Sequence, residues 1–309
     1  MQERRADILA HLADGPVTGP ALAEQLDITR AAVWKHIEAL REEGFEIASR
    51  ESGYRLESIP EFGGSAVEFG LSAPFTVEYH DSIGSTNSRA RELAAAGEQN
   101  AVVLANEQTG GRGRLDREWS SPSGGIWLSI LLRPEVPAVH APLFTLAAAV
   151  ATTRAVRELG VDATIKWPND VQVEGRKLAG ILTEMEGEAD RISWLVVGIG
   201  LNANVDSTQL PGERPATSLR AEIGDVDRRR LTQNLLEAFW NRSEQTESIL
   251  PAWRELTSTI GQRVRVETQR EEIVGEAVGI EFPGSLIVDT GAEKLTISAG
   301  DCEHLRPAE

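Results

Sequence analysis

The sequence predicts an α+β chain in three modules: an N-terminal winged helix-turn-helix, a central mixed α/β domain and a small C-terminal SH3-like β-barrel. Three observations lead there. A length of 309 residues suits two or three domains rather than one. Helical periodicity at the start gives way to a mixed pattern and then to short alternating strands broken by glycine. Hydrophobic residues make up 41% of the chain, enough for sizeable cores.

Gln2–Ala13 places Ile8, Leu9 and Leu12 on one helical face, and Asp14-Gly15-Pro16 stops it. Thr18 can cap a second helix bearing Leu22 and Leu26, with Pro20 in its first turn. After a turn at Asp27-Ile28, Thr29 can cap a third helix to Glu43, with Val33, Ile37 and Leu40 inward and Gly44 ending it. Phe45–Ser49 and Tyr54–Glu57 read as a short hairpin. Three helices and a hairpin make the winged pattern, whose third helix enters the major groove in DNA-reading modules. The outward residues Thr29, Arg30, Trp34 and Lys35, with His36 beside them, are then the DNA-binding candidates. A bundle for protein contacts is the other reading. Residues 1–58 hold seven Lys+Arg against eleven Asp+Glu, whereas a DNA module is usually basic.

Ile59–Ser65 reads as a linker, so the modules are expected at residues 1–60, 65–260 and 263–309. In the middle module the strand candidates are Phe75–His80, Ala101–Ala105, Gly125–Leu132, Ala163–Trp167, Leu178–Met185 and Trp194–Gly200. The helix candidates are Thr86–Ala96, Pro142–Leu159 and Arg228–Glu247. The second of these is apolar nearly all round, which predicts that it packs on the sheet. The tail offers Arg263–Val266, Ile273–Ile280, Ser285–Asp289 and Lys294–Ile297, short strands that suit a small barrel. That barrel is expected to serve as a packing module completing the middle site.

No run of about 18 apolar residues is present, so no membrane span is expected. The opening Met1–Asp7 has no apolar signal region, which predicts no cleaved leader. A single cysteine, Cys302, excludes an internal disulfide and a cysteine-based zinc cluster, and fits a reducing, cytoplasmic setting. Net charge is −17, from 31 Lys+Arg against 48 Asp+Glu. Such a surface repels nucleic acid and anionic membranes at ordinary salt. It predicts adaptation to a salty cytoplasm, where screening acts over about 3 Å at 1 M salt; the other reading is a chain that is simply acidic. Only four lysines occur, Lys35, Lys166, Lys177 and Lys294, and two of them stand in segments that look chemical.

The first such segment, Glu107 to Trp119, alternates glycine with Arg112 and Arg114 just after an apolar strand. Backbone donors and guanidinium forks there suit phosphate. A solvated turn is the bland alternative. The segment is neither a Walker loop nor a dinucleotide fingerprint. The second, Lys166-Trp167-Pro168-Asn169-Asp170, ends a strand, where chemistry is often mounted. Lysine can meet phosphate, and Asn and Asp can hold ribose hydroxyls or Mg²⁺, although an Asx turn after proline gives the same letters. The third, Gly175 to Leu182, puts Lys177 at the mouth of an apolar strand, pointing inward or to the surface.

Ser85-Thr86-Asn87, the Gln108–Arg114 loop, Lys166–Asp170, Arg176–Leu182 and Gly198-Ile199-Gly200-Leu201-Asn202 follow one another in an order that resembles the biotin protein ligases. The terminal modules resemble those of the family's bifunctional members, which pair a ligase with a biotin-responsive repressor. The departure from the pattern is Leu115-Asp116, where relatives usually carry a small or basic pair. The resemblance implies a biotin/lipoyl-ligase central domain. It also implies an enzyme that joins biotin and MgATP into biotinyl-5′-AMP, then passes biotin to a lysine of a biotin carboxyl carrier domain. Lipoate ligase, or a regulator that senses the adenylate without turnover, are the rival readings; the Gly-Arg loop favours biotin. By family match, Ser85, Thr86, Asn87 and Gln108 line the biotin site. Gly111, Arg112 and Arg114 approach the carboxylate and α-phosphate, and Lys177 sits by both oxygens. Trp119, Lys166, Asn169, Asp170 and Asn202 serve the nucleotide, with Asp170 the candidate for Mg²⁺. DNA and a second copy of the chain are the further partners implied, and no membrane is.

Overall fold

A computed structural model describes residues 2–210 and 215–305. Residue 1 of the first expected module and residues 306–309 of the third lie outside the described residues, as do 211–214.

The first module contains helices α1 (Gln2–Ala13), α2 (Gly19–Gln25) and α3 (Arg30–Glu42) and a hairpin of β1 (Glu46–Arg50) with β2 (Gly53–Ser58). Both caps form as the threonines predict: Thr18 Oγ1 accepts from the Ala21 amide and Thr29 Oγ1 from that of Ala32. Ile8, Leu9, Leu12, Leu22, Val33, Ile37 and Leu40 make one buried cluster. Gly53 starts β2 at φ +115°, so close to Val17 that a Cβ would lie 2.3 Å from its carbonyl oxygen. Only glycine lets the wing pair with Val17 there.

The expected linker is instead docked. Helix α4 (Gly64–Glu68) begins within it, with Ala66 in the first module's core and Val67 in the central one. Phe62 meets Tyr79 edge-on at 6.0 Å, and the Arg228 guanidinium lies 4.1 Å from the Phe62 ring. Ser65 donates to Glu43, which also binds Arg5. Pro60, Gly63 and Gly64 suggest a flexible spacer, but Phe62 and Val67 carry enough apolar surface to pin it.

The central sheet has seven strands in the order β3-β4-β5-β9-β8-β7-β6. They are β3 (Thr76–His80), β4 (Ala101–Ala105), β5 (Ile126–Leu132), β6 (Thr164–Lys166), β7 (Asp170–Val173), β8 (Arg176–Glu188) and β9 (Arg191–Leu201). β3 and β4 run parallel and the other neighbours antiparallel. Helix α5 (Thr86–Ala95) covers part of one face through Ala90 and Ala94. Helix α6 (Ala141–Arg157) covers the other and is itself packed on by α8 (Arg228–Ser243) and α9 (Ile249–Leu256). The stretch 138–157 is apolar and long enough to cross a membrane by those two measures, and is mostly buried inside the fold. Short α7 (Leu219–Ile223) lies between β9 and α8. The Asx turn that is the alternative reading at Asn169-Asp170 does not form: Asp170 opens strand β7, paired to both β6 and β8. The helix predicted over Arg228–Glu247 stops at Ser243.

The C-terminal barrel is a five-stranded antiparallel sheet, β13-β12-β11-β10-β14, from β10 (Arg263–Glu267), β11 (Glu272–Glu281), β12 (Ser285–Asp289), β13 (Lys294–Ile297) and β14 (Asp301–His304). β14 was not legible among the acidic residues of the tail. The barrel is bonded to the central domain: Trp167 Nε1 donates to the Gly284 carbonyl at 2.9 Å, and Arg254 to that of Ile280 at 2.8 Å.

Candidate active site

Ser85 is the N-cap of α5, its hydroxyl accepting from the Ser88 amide. This turn sets Thr86 and Asn87 over the sheet, where both are buried. The Thr86 amide and hydroxyl each donate to Gln108 Oε1, at 2.8 and 3.1 Å, and Gln108 Nε2 donates to Ser121 Oγ at 2.9 Å. Asn87 Nδ2 donates to Glu184 Oε2 at 2.7 Å, and Glu184 is also paired with Arg91. Ser129 Oγ, fully buried on β5, stands 2.8 Å from Thr86 Oγ1 and 2.6 Å from Asn87 Oδ1. It has one proton to give between them. A Cβ on Gly198 would lie 2.2 Å from Asn87 Oδ1, so the glycine is what admits the amide. The result is a connected, geometrically defined set of hydroxyls and amides on the face covered by α5.

Ser129 and Glu184 belong to this network and were missed in the sequence. Ser129 left a signal, being the one hydroxyl in the otherwise apolar strand Ile126–Leu132. Glu184 left none, since its partner Asn87 is distant in the chain.

The Gly-Arg loop folds back on itself. The Trp119 amide donates to the Gly111 carbonyl at 3.0 Å and that of Gly113 to Arg117 at 2.8 Å. A Cβ on Gly111 would lie 2.5 Å from the Trp119 carbonyl oxygen. Leu115 takes φ +56°, uncommon for a branched side chain, and is exposed. The side chain of Asp116, the residue that departs from the expected pattern, is outside the described residues. Arg112 reaches Ser88 Oγ at 2.9 Å, so it sides with α5. Arg114 points the other way, to Asn169 Oδ1 at 3.2 Å and the Gly300 carbonyl at 2.9 Å. Arg117 pairs with Asp301. Two arginines thus tie this loop to the edge of the barrel.

Lys177 points inward. Its Nζ lies 2.6 Å from Asp170 Oδ1 and 4.8 Å from the centroid of the Trp119 ring. Lysine and aspartate side chains are 26% and 22% exposed, so water screens the pair only in part. Gly180 and Gly200 form the floor: a Cβ on Gly200 would lie 2.5 Å from Trp119 Nε1. That indole N–H is buried with no partner among the described residues, which leaves a donor for a ligand to satisfy. A cavity of about 250 Å³ opens beside Arg114 and Asn169, against Thr183, Met185 and Ser298.

Two expected nucleotide residues are placed differently. Asn202 is buried and gives its amide to the Thr217 carbonyl at 2.9 Å, supporting a neighbouring segment. Lys166 stands opposite Asp170 across β6 and β7, towards the barrel. There its charge adds to the burial that pushes His304 down to about 4. On α3, Thr29 uses its hydroxyl as the helix cap, while Arg30 and Lys35 are exposed and enter no ion pair among the described residues. Trp34 is 58% exposed, which excludes a core role. His36 is held below its usual range by burial, then by Arg5 and Lys35.

Residues 79–202 match the biotin/lipoate A/B protein ligase family, residues 4–55 a helix-turn-helix domain and residues 259–305 the biotin protein ligase C-terminal domain. Among relatives, the chain is 38% identical to the bifunctional ligase/repressor BirA of Bacillus subtilis, over 93% of each chain. It is 35% identical to the biotin–[acetyl-CoA-carboxylase] ligase of Paracoccus denitrificans, covering 70% of this chain and 95% of that protein. Its fold is similar to that of the Aquifex aeolicus biotin protein ligase in complex with biotin and ATP, with a TM-score of 0.65 and 26% identity over 75% of this chain and 99% of the other.

Proposed function

This chain belongs to the biotin protein ligase family, and from that premise we propose how its own residues carry the reaction. It is an ATP-dependent biotin–[carrier protein] ligase that also has the repressor's helix-turn-helix module. In the first step a biotin carboxylate oxygen attacks the α-phosphorus of ATP; a mixed anhydride forms and pyrophosphate leaves. In the second, the amine of a carrier lysine attacks the anhydride carbonyl and AMP leaves. The first step brings two anions together, so positioning and neutralisation carry most of the catalysis.

Ser85, Thr86, Asn87 and Gln108 present the hydroxyl and amide groups that a ureido ring requires, and Gly111 brings the loop backbone close. Arg112 lies at the α5 end of the site, and Arg114 with Lys177 at the carboxylate and α-phosphate. Trp119 is the apolar wall, Asn169 lies towards the phosphates, Lys166 adds its positive charge from the barrel side, and Asn202 supports segment 215–217 from behind. Mg²⁺ would arrive with the nucleotide. Among the described residues no group of three or more His, Cys, Asp or Glu side chains is placed to hold a metal. A lone Asp170 beside Asn169 fits an ion that keeps its waters and the substrate's phosphates. When bound, it neutralises the phosphate charge.

The observation that carries this reading is Lys177 held at 2.6 Å from Asp170 and over Trp119, on a glycine floor beside Arg114. Incubation with biotin, ATP and a carrier domain tests it. Biotin on the carrier supports it. Transfer of lipoate instead, or adenylate formed with no transfer, moves the chain to one of the rival readings.

The module at residues 1–60 is proposed to bind DNA as a homodimer when the adenylate is held, with Arg30 and Lys35 on phosphates and Trp34 facing the groove. The other proposed units are 65–260 and 263–309. Arg30→Ala or Lys35→Ala is expected to weaken a gel shift on the gene's own upstream region roughly tenfold. Absence of any shift with biotin and ATP present would leave the module to protein contacts.

A cytoplasmic, membrane-free setting at high salt is proposed from the −17 net charge. Self-repulsion falls as salt screens it, so the melting temperature should climb between about 0.1 and 3 M KCl. A flat or falling curve by circular dichroism removes the halophilic part of the proposal.

A further inference from the structure

Lys177 is gripped from outside its own sheet. The segment 215–217 lies parallel beside it: the Lys177 amide donates to the Pro215 carbonyl at 2.8 Å, and the Thr217 amide to the Lys177 carbonyl at 2.9 Å. On its other flank Lys177 is in register with Gln172 of β7. The backbone from which the ammonium springs is therefore bracketed on both sides.

What holds that segment is a small polar cluster that no motif announces. Arg176, the residue before Lys177, binds both carboxylate oxygens of Glu222, at 2.9 and 3.2 Å. It also reaches Thr217 Oγ1 at 3.3 Å, and the Thr217 hydroxyl donates to Glu222. Asn202 secures the Thr217 carbonyl. In a chain whose acids are mostly at the surface, the Glu222 side chain is only 16% exposed. A largely buried carboxylate is tolerated because a forked guanidinium and a hydroxyl satisfy it; removing it leaves the Thr217 hydroxyl unmatched and Arg176 with the solvent-exposed Glu174 at 3.1 Å in its place. Its α7 helix is fixed independently by the Ser218 cap.

We propose that Glu222 is a positioning residue for Lys177. Through Arg176 and Thr217 it holds segment 215–217 against the Lys177 backbone, which keeps the ammonium between Asp170 and Trp119. This rests on the assignment of Lys177 to adenylation.

The test uses the full-length enzyme. Glu222→Ala should lower kcat of biotin-dependent ATP–pyrophosphate exchange roughly tenfold and leave KM for biotin within about threefold, because the ureido side of the site is untouched. Glu222→Gln, which keeps the shape and an acceptor for Thr217, should recover to within about threefold of the parent. Thr217→Val cuts the same link without touching the carboxylate, and should act in the same direction if Glu222→Ala fails to fold. Calorimetric binding of the sulfamate analogue of biotinyl-5′-AMP supplies the decisive cycle. In a Lys177→Ala background, Glu222→Ala or Thr217→Val should weaken binding no further than about twofold. Effects that multiply, or single variants indistinguishable from the parent, overturn the proposal. Lys177→Ala binding like the parent would instead remove the Lys177 assignment on which it stands.

Discussion

Lys177→Ala should reduce biotin-dependent ATP–pyrophosphate exchange on the order of 10²–10³-fold while leaving the fold intact. The ammonium is the partly shielded cation at a point where a carboxylate and a phosphate must meet. Each ~1.4 kcal/mol of lost transition-state stabilisation is tenfold in rate. Asp170 is one reason the loss should be large. It sits 2.6 Å from the ammonium, and without the lysine it would present an unbalanced negative charge to two anionic reactants. The fold should survive because neither side chain belongs to the apolar core and the backbone bonds of β8 remain. Exchange within threefold of the parent would remove Lys177 from the chemistry.

Arg114→Gly should release the intermediate. Arg114 closes the Gly-Arg loop through Asn169 and the Gly300 carbonyl. Glycine abolishes both bonds and adds about 0.5–1 kcal/mol of backbone freedom to a segment that already contains Gly110, Gly111 and Gly113. Biotinyl-5′-AMP, a reactive anhydride, should then leave before a carrier arrives and acylate exposed lysines. On a streptavidin blot of a reaction spiked with a lysine-rich bystander, the bystander-to-carrier ratio should rise severalfold. An unchanged ratio would mean that Arg114 is not a clamp, and the loop's role would rest on Arg112.

Much of this could be read from local signals. The caps at Thr18 and Thr29, the inward Val33, Ile37 and Leu40, and the apolar helix α6 obey rules that operate within a few residues. Of the segments singled out between residues 85 and 202, three supply side chains that the structure brings together: Lys177, Asp170 and Trp119. What escaped was set by distant partners. Strand β7 is four residues long and exists because β6 and β8 flank it. The Asn87–Glu184 and Arg117–Asp301 contacts join segments that no periodicity connects. The partner of the Asn202 amide, the Thr217 carbonyl, likewise lies outside every motif.

The double allegiance of α4 bears on how the protein can be dissected. Its successive residues Ala66 and Val67 face different cores, and Ser65 reaches back to Glu43. A gene cut at codon 60 to obtain a minimal catalyst would strip away the Arg5–Glu43 side of that joint and open the Ala66 and Phe69 surface to water. The scar would be greasy and adjacent to β3, inviting self-association in the truncated product. A cleaner excision would also exchange Ala66 and Phe69 for polar residues, leaving Val67 to seal the remaining core.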